Sequence, residues 1–285
     1  MTILHIAILA LIQGAAELLP VSSSAHVIVT AKLLGLDPTT PEMTLLLVML
    51  HTGTMFAVIV YFWASWREAF FQSRQHFITA VRHVFIATLV TGILGLLLKF
   101  LIEKMVLKTV PNAEIEMLFG HLGLMAAALA AAGILIIMAG LRGKPTHAAA
   151  RFNTTHAAVI GAVQGLCLPF RGFSRSGATI STGLLLGISK HQAEVFSFAL
   201  AVVLTPPVVV REVWRLLKAQ GLTGYAVDPT PLFLPSLLGM MLSFLAGMLA
   251  LKWLSDWLEK GRWHYFGYYC LMASALVLTL HRHGL

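Results

Sequence analysis

The chain has 285 residues, of which 58% are hydrophobic and only 11% are charged, and its formal net charge is +8. Soluble domains carry about a quarter charged residues, so the composition excludes an ordinary soluble protein and indicates a polytopic membrane protein. The basic residues lie in short segments rather than in one patch. That distribution favours membrane topology and contact with anionic lipids, and it argues against nucleic-acid binding.

Two short apolar runs open the chain. The first run, residues 1–19, ends at Pro20, and a second run covers about Ser23 to Leu36. Neither run comfortably reaches the ~20 residues that a membrane-spanning helix needs. The pair is therefore predicted to form a re-entrant helical hairpin, which is tolerated at membrane depth only beside protein or a wet cavity. Three full spans are expected to follow, at about 43–64, 81–101 and 118–141.

The second half of the chain repeats this plan. Residues 153–189 contain another broken pair of short apolar runs, followed by spans near 191–212, 232–251 and 264–281. The excess of Lys and Arg predicts that loops 65–80, 142–152 and 252–263 lie in the cytoplasm and that loop 102–117 lies outside. Loop 213–231 should also lie outside, although it is net basic.

Matching positions in the two halves indicate an internal repeat. Each half contains three full spans, an odd number, so the repeats must face opposite ways, and a site is expected at their interface. The predicted fold is an all-α polytopic membrane protein of six transmembrane helices plus two re-entrant helical hairpins arranged as an inverted repeat. It forms a single domain over 1–285, with repeats at about 1–142 and 150–285. The matched positions are Gln13-Gly14 with Gln164-Gly165, Leu34-Gly35 with Leu186-Gly187, and Glu42 with Glu194.

The first motif, Gln13 to His26, reads Q-G-A-A-E-L-L-P-V-S-S-S-A-H and concentrates polar residues in an apolar region. Gln13 and Glu17 are four residues apart and should share a helix face. A carboxylate at membrane depth indicates function, the alternative being a structural ion pair with an arginine. Ser23 with Glu17 before it and His26 after it has the parts of an activated nucleophile, although His26 could instead simply pack in the core. The neighbouring Ser22 and Ser24 exceed what helix capping needs and could bind an anion.

The second motif, Gln164 to Thr179, reads Q-G-L-C-L-P-F-R-G-F-S-R-S-G-A-T and supplies a cation. Arg175 offers a planar fork for phosphate oxygens, and the two motifs are expected to form one phosphate site. The alternative is a purely structural pairing of Arg175 with Glu17. Ser174 is expected to cap the following helix, with hydroxyls from Ser176 and Thr179 nearby and Arg171 as a second cation. Outside both motifs, His51 and Thr54 lie within a predicted span and could border the cavity or pack in the core.

These stretches resemble the bacterial undecaprenyl-diphosphatase family of the bacitracin-resistance type, and the resemblance covers essentially the whole chain. The family patterns are (E/Q)-G-x-x-E-F-L-P-V-S-S-(S/T)-G-H and P-G-x-S-R-S-G-x-T, and L-H-T-G-T and F-S-F-A-L-A are also similar to family segments. The chain departs from the family at Gln13, where many members have Glu, at Ala25 in place of Gly, and at Arg171, where Pro is usual and one residue is added.

The resemblance implies a phosphatase of the bacterial cytoplasmic membrane that converts undecaprenyl diphosphate to undecaprenyl phosphate and inorganic phosphate. By the same resemblance, it would recycle the lipid carrier of cell-wall synthesis, face outside, and give bacitracin resistance on overproduction. Glu17, Ser23, His26 and Arg175 would be the catalytic residues. Ser174 and Thr179 would lie near the phosphate, joined by Gln13, Ser22, Ser24, Ser176 and Arg171 as substrate-binding candidates. The implied cofactor is a divalent cation, Mg²⁺ or Ca²⁺, with Glu17 as its ligand.

Two questions stay open at this stage. Ser23 could attack the phosphorus with Glu17 or His26 taking its proton, or Glu17 could hold the metal while water attacks directly. A rival from another class is an inverted-repeat transporter or flippase of a polyprenyl phosphate, because broken helices in inverted repeats are typical of transporters. A carrier, however, needs neither a nucleophile nor a proton donor, so the polar motifs favour hydrolysis. Membrane lipids are the other expected partners, and a homodimer is left open.

Overall fold

A computed structural model describes residues 2–37, 40–106, 121–142, 150–223 and 230–283, and every regular element in these ranges is helical. The all-α prediction is therefore confirmed for the described part of the chain. The helices are α1 (Ile3–Leu18), α2 (Ser23–Leu33), α3 (Pro41–Phe70), α4 (Arg74–Leu101, continued by a π-helical turn, Ile102–Val106), α5 (Leu122–Arg142), α6 (Thr154–Cys167), α7 (Arg175–Leu185), α8 (Lys190–Thr223), α9 (Thr230–Glu259) and α10 (Trp263–Arg282).

Five of the described helices are long and apolar enough to cross a membrane, which identifies a multi-pass membrane protein. They are α3, α4, α5, α8 and α9. Helix α10 has 20 residues and lies where the sixth span was predicted, but it is not among these five. The two predicted broken pairs are present as helices of 16 and 11 residues (α1 and α2) and of 14 and 11 residues (α6 and α7).

Several predicted loops are shorter than expected because the helices continue past the apolar runs. The predicted extent of loop 65–80 was wrong, because α3 ends at Phe70 and α4 begins at Arg74. Loop 252–263 is likewise mostly helical, since α9 ends at Glu259 and α10 begins at Trp263. Residues 65–70 and 252–259 contain no Gly or Pro that would stop a helix, and Gly261, with φ of 71°, lies just after the end of α9. Most of loops 102–117 and 142–152, and the end of 213–231 beyond α8, lie outside the described residues.

The chain divides into two compact units, which cut across the predicted repeats and leave the repeat prediction untested. Unit 1 comprises Met1–Leu19, Ser23–Trp63 and Ala201–Leu254. Small residues let its helices pack closely, since a Cβ on Gly14 would lie 2.6 Å from the Ser243 carbonyl oxygen of α9. Ser243 in turn donates to the Leu50 carbonyl of α3 at 3.0 Å. The apolar core of unit 1 is built from Ile6, Leu9, Ala10, Val27, Ala31, Met43, Leu46 and Leu50.

Unit 2 comprises Pro20–Ser22, Ala64–Leu200 and Ser255–Leu285. Within it, α5 packs against α7 and α10, while α6 packs against α4 and α7. Buried polar side chains connect these helices. Thr91 of α4 donates to the Gly161 carbonyl of α6 at 2.8 Å and accepts from the Gln164 amide at 3.1 Å. These contacts hold the helix that leads into the second motif.

Candidate active site

The first motif begins on α1, where Gln13 and Glu17 share one face as predicted. The Gln13 amide donates to Glu17 Oε2 across 3.1 Å, and Gln13 is 1% exposed. A buried amide that donates to a carboxylate stabilises the ionised form. Gln13 therefore orients Glu17 in unit 1, and it makes this contact with an amide where many relatives of the resembled family would place a second carboxylate.

Ser23 begins α2 and meets the same carboxylate. Its hydroxyl lies 2.5 Å from Glu17 Oε2 and donates to it. This is the geometry required of a general base and the hydroxyl it activates. Ser24 and His26 follow on α2 and are half-buried. The structure thus brings Ser23 of α2 to the carboxylate that Gln13 orients, a contact that the sequence spacing alone could not establish.

The link between α1 and α2 is short and contains a strained residue. Ser22 has φ of 66°, and among the described residues it is the one non-glycine residue with positive φ. Such a conformation costs on the order of 1–3 kcal/mol and persists where the surroundings determine it, often at functional sites. Ser22 is also buried, with 6% exposure. This conformation fixes where α2 starts relative to the link.

His51 of α3, which the sequence assigned either to the cavity or to the core, lies beside Glu17. Its Nε2 is 3.7 Å from Glu17 Oε2, and its Nδ1 is 2.7 Å from the Leu47 carbonyl oxygen. Because a carbonyl oxygen only accepts, Nδ1 carries a hydrogen and donates. The ring is thereby held with Nε2 towards the carboxylate. Thr54 is buried, and its hydroxyl bonds to the His51 carbonyl at 2.9 Å.

The second motif places a cation and a helix N-terminus together in unit 2. Ser174 caps α7 by accepting from the Gly177 N–H at 3.2 Å, which confirms the predicted cap. Arg175 is the first residue of α7 and is half-buried. Ser176 is 2% exposed, and its hydroxyl lies 3.5 Å from that of Ser174. The positive end of the helix dipole and the guanidinium favour an anion here.

Thr179 lies one turn further along α7, and its side chain is fully buried. Its hydroxyl is 2.8 Å from the Arg175 carbonyl oxygen and 2.6 Å from the hydroxyl of Ser197 on α8. Sequence reasoning did not single out Ser197. The available signal was a serine between two phenylalanines in an apolar run, because a buried hydroxyl needs a partner. The prediction that Thr179 binds substrate stays a prediction.

The loop before Ser174 is a tight turn in which the Phe173 N–H donates to the Phe170 carbonyl at 3.1 Å. Arg171 is exposed at this turn, and its assignment to the substrate stays a prediction. Gly172 has φ of +103°, and a Cβ there would lie 2.4 Å from the Met125 carbonyl oxygen of α5. Both observations require glycine at this turn, which packs against α5.

Replacing Gly172 with alanine is expected to destabilise the protein by about 2–5 kcal/mol, the sum of the positive-φ and overpacking costs. Thermal unfolding in detergent would measure the change. Gly92→Ala on α4 is the control, because no atom lies within 4 Å of its added Cβ and its φ is not positive. The control should unfold at or above the wild-type temperature. Equal melting temperatures for Gly172→Ala and wild type would contradict this account of the turn.

A residue of the first motif lies against the second motif. Pro20 belongs to unit 2, and a Cβ placed on Gly177 of α7 would lie 3.2 Å from Pro20 Cβ. The Pro20 carbonyl also accepts from the Cys270 thiol of α10 at 3.2 Å. Cys270 and Cys167 are buried and free, as expected. Pro20 thus packs beside the N-terminal turn of α7 within unit 2.

The described residues do not build a metal centre by themselves. No group of three or more His, Cys, Asp or Glu side chains converges within the ranges that the structure describes. Glu17 is nevertheless the kind of ligand that Mg²⁺ uses, since this ion is often bound by one or two carboxylates together with substrate phosphates and water. The residues present therefore fit a cation that arrives with a diphosphate.

The amino-acid sequence is similar to those of known proteins along nearly its whole length. The sequence pattern of the family described as "Bacitracin resistance protein BacA" matches residues 6–276. The chain belongs to the BacA family. It is 61% identical to "Undecaprenyl-diphosphatase 2" of Acinetobacter baylyi over 98% of both chains. It is 30% identical to "Undecaprenyl-diphosphatase" of Rhodopirellula baltica over 98% of both chains, and 31% identical to the protein of that name from Fusobacterium nucleatum over 96% of this chain and 99% of the other. The BacA match includes both motifs, so membership confirms the resemblance noted from the sequence.

Proposed function

We propose that this chain is an undecaprenyl-diphosphatase, which hydrolyses undecaprenyl diphosphate to undecaprenyl phosphate and phosphate and so recycles the lipid carrier for cell-wall synthesis. The observation that carries the proposal is the hydrogen bond from the Ser23 hydroxyl to Glu17 Oε2 at 2.5 Å. A hydroxyl bonded to a carboxylate base is suited to phosphoryl transfer. The names of the similar proteins, "Undecaprenyl-diphosphatase 2" and "Undecaprenyl-diphosphatase", support the same reaction.

In this proposal the second motif binds the diphosphate. Arg175 contacts phosphate oxygens, and the N-terminal N–H groups of α7 and the hydroxyls of Ser174 and Ser176 surround them. Fixed donors that face the charge developing in the transition state lower the barrier without having to reorganise. The proposed substrate-binding set is completed by Ser22, Ser24, Gln13, Thr179 and Arg171, although Gln13 acts on Glu17 in the contact described above.

The first motif carries out the proposed chemistry. In the covalent version, Ser23 Oγ attacks the terminal phosphorus, its proton passes to Glu17 or His26, and the bond between this phosphorus and the bridging oxygen breaks to release undecaprenyl phosphate. Water then cleaves the phosphoserine to phosphate and serine. In the direct version, Glu17 would hold the metal, water attacks the terminal phosphorus, and the bond to the bridging oxygen breaks to release undecaprenyl phosphate and phosphate, while Ser23 only positions the substrate. The contact between Ser23 and Glu17 favours Glu17 over His26 as the first proton acceptor.

A divalent cation, Mg²⁺ or Ca²⁺, is part of the proposal, and Glu17 is the residue that would hold it. When bound, the cation neutralises phosphate charge. Gln13 keeps the Glu17 carboxylate in place whether or not the cation is present. The mechanism needs one chain, and dimerisation is not part of it.

The proposed location is the bacterial cytoplasmic membrane, with the active site open to the outer side. The proposed fold has six membrane spans and two re-entrant hairpins in an inverted repeat, with α10 as the sixth span. Helices of 11 to 16 residues in both broken pairs support the hairpins, because they are shorter than a span. The prenyl chain would lie along the apolar surface in the lipid.

A transporter or flippase is the rival, and hydrolysis in detergent separates the two. Purified protein in detergent micelles has no compartments, so only an enzyme converts a prenyl diphosphate to phosphate and monophosphate there. We expect steady phosphate release. Movement of a polyprenyl phosphate across sealed vesicles without release in detergent would favour the transporter.

Ser23→Ala decides between the covalent and direct versions. The covalent version predicts loss of several orders of magnitude in kcat, because no other atom replaces the nucleophile. The direct version predicts a smaller loss, comparable to that of Ser24→Ala, which removes a hydroxyl on the same turn of α2. Phosphate release at saturating substrate measures both. Activity of Ser23→Ala near the wild-type value would exclude the covalent version.

A further inference from the structure

A hydrogen-bonded chain of two hydroxyls connects α8 to the first residue of α7. Thr179 has one hydroxyl hydrogen, and the Arg175 carbonyl oxygen at 2.8 Å can only accept, so Thr179 donates to Arg175. Ser197 must then donate to Thr179 across the 2.6 Å between their hydroxyl oxygens. The order is Ser197 to Thr179 to the backbone of Arg175. The Thr179 hydroxyl is thus already engaged on both sides.

Helix α8, which carries Ser197 of this hydrogen-bonded chain, is held in place by close packing. Ser197 is 1% exposed and lies between the buried Phe196 and Phe198. The carbonyl of Val195 accepts from the Trp66 indole at 3.1 Å. One turn away from the hydroxyl pair, a Cβ on Gly183 of α7 would lie 2.8 Å from Ala193 Cβ of α8. The two helices therefore meet at two successive turns.

We propose that Ser197 is a positioning residue that acts through Thr179 to hold the first turn of α7. That turn carries Arg175 and the N–H groups that bind the diphosphate in the proposed function, on which this inference rests. An ordinary threonine bond to the carbonyl four residues earlier needs no second helix. Thr182 shows this: it bonds to the Ala178 carbonyl of the same helix at 2.7 Å. The Ser197 hydroxyl adds a hydrogen bond from a second helix, close to the end of α7 that carries Arg175.

The test compares Ser197→Ala and Ser197→Thr with Ser274→Ala as the matched control. Ser274 is also a buried serine that joins two helices of unit 2, and it donates to the Ala126 carbonyl at 2.7 Å. Turnover is measured in detergent on a prenyl diphosphate, normalised to folded protein from size-exclusion chromatography. We expect Ser197→Ala to lower kcat at least about tenfold with little change in KM, because a small misplacement of catalytic groups is costly. Ser197→Thr keeps the hydroxyl and should restore most of kcat, and Ser274→Ala should stay near wild type.

A double-mutant cycle keeps the test decisive if the threonine variant folds poorly. Thr179→Val and Ser197→Ala break the same chain, so the double variant should be no slower than the slower single variant. Additive losses, or equal kcat values for Ser197→Ala and Ser274→Ala, would overturn the inference while leaving the proposed function intact. Wild-type protein that releases no phosphate would instead remove the proposed function, and the inference with it.

Discussion

Replacing Arg175 with alanine is expected to lower kcat/KM for a prenyl diphosphate by at least about a hundredfold, the usual cost of removing a donor that stabilises transition-state charge. The residue starts α7, where its charge adds to that of the helix N-terminus. Arg175→Lys keeps the charge but loses the planar fork, so it should recover only part of the activity. Phosphate release over a range of substrate concentrations measures both variants.

Two other arginines serve as comparisons. Arg262 lies before α10 and is exposed, so Arg262→Ala should have wild-type activity. Arg171→Ala should lose less than Arg175→Ala, because Arg171 is exposed at the turn rather than on the first turn of α7. If Arg171→Ala caused the larger loss, the phosphate would have to be assigned to the turn and the proposed role of α7 would be wrong.

Glu17→Gln is expected to lower kcat by about a hundredfold to ten-thousandfold, the range for a lost general base. The amide keeps the size of the side chain but can neither take the Ser23 proton nor bind a cation with full charge. It also places an amide beside the Gln13 amide, where a carboxylate oxygen now accepts. The measurement is kcat at saturating substrate, with folded protein quantified for each variant.

Glu194→Gln is the matched control for this substitution. Glu194 is a glutamate on α8 with 3% exposure, and it accepts from the Ser255 hydroxyl much as Glu17 accepts from Ser23. It lies outside both motifs, so its amide variant should keep activity even if it melts at a lower temperature. Similar losses in the two variants would mean that both carboxylates are needed for folding, and Glu17 would have no special catalytic role.

The sequence could predict the helices better than their ends. Pro20 separated α1 from α2 correctly, because proline interrupts a helix in a predictable way. Loop 65–80, by contrast, was inferred from charges such as Arg67, which lies in the last turn of α3. Charged residues are compatible with a helix, so hydropathy locates the apolar part of a span but does not determine where its backbone stops being helical.

Local spacing revealed part of the candidate site. Gln13 with Glu17, and Ser174 with Gly177, lie within one turn of each other, and both contacts follow from helix geometry. The contacts of Glu17 with His51 and of Thr179 with Ser197 join different helices. They depend on how those helices pack, and a single sequence does not encode that packing in any spacing that can be read directly.

The most direct test of hydrolysis is a product balance in detergent: purified wild-type protein, undecaprenyl diphosphate and Mg²⁺ or Ca²⁺, with phosphate and undecaprenyl phosphate measured together. The account predicts equimolar products, inhibition by a chelator and loss of both products in Glu17→Gln. Absence of phosphate release from folded wild-type protein with metal present, or full activity of Glu17→Gln, would contradict it.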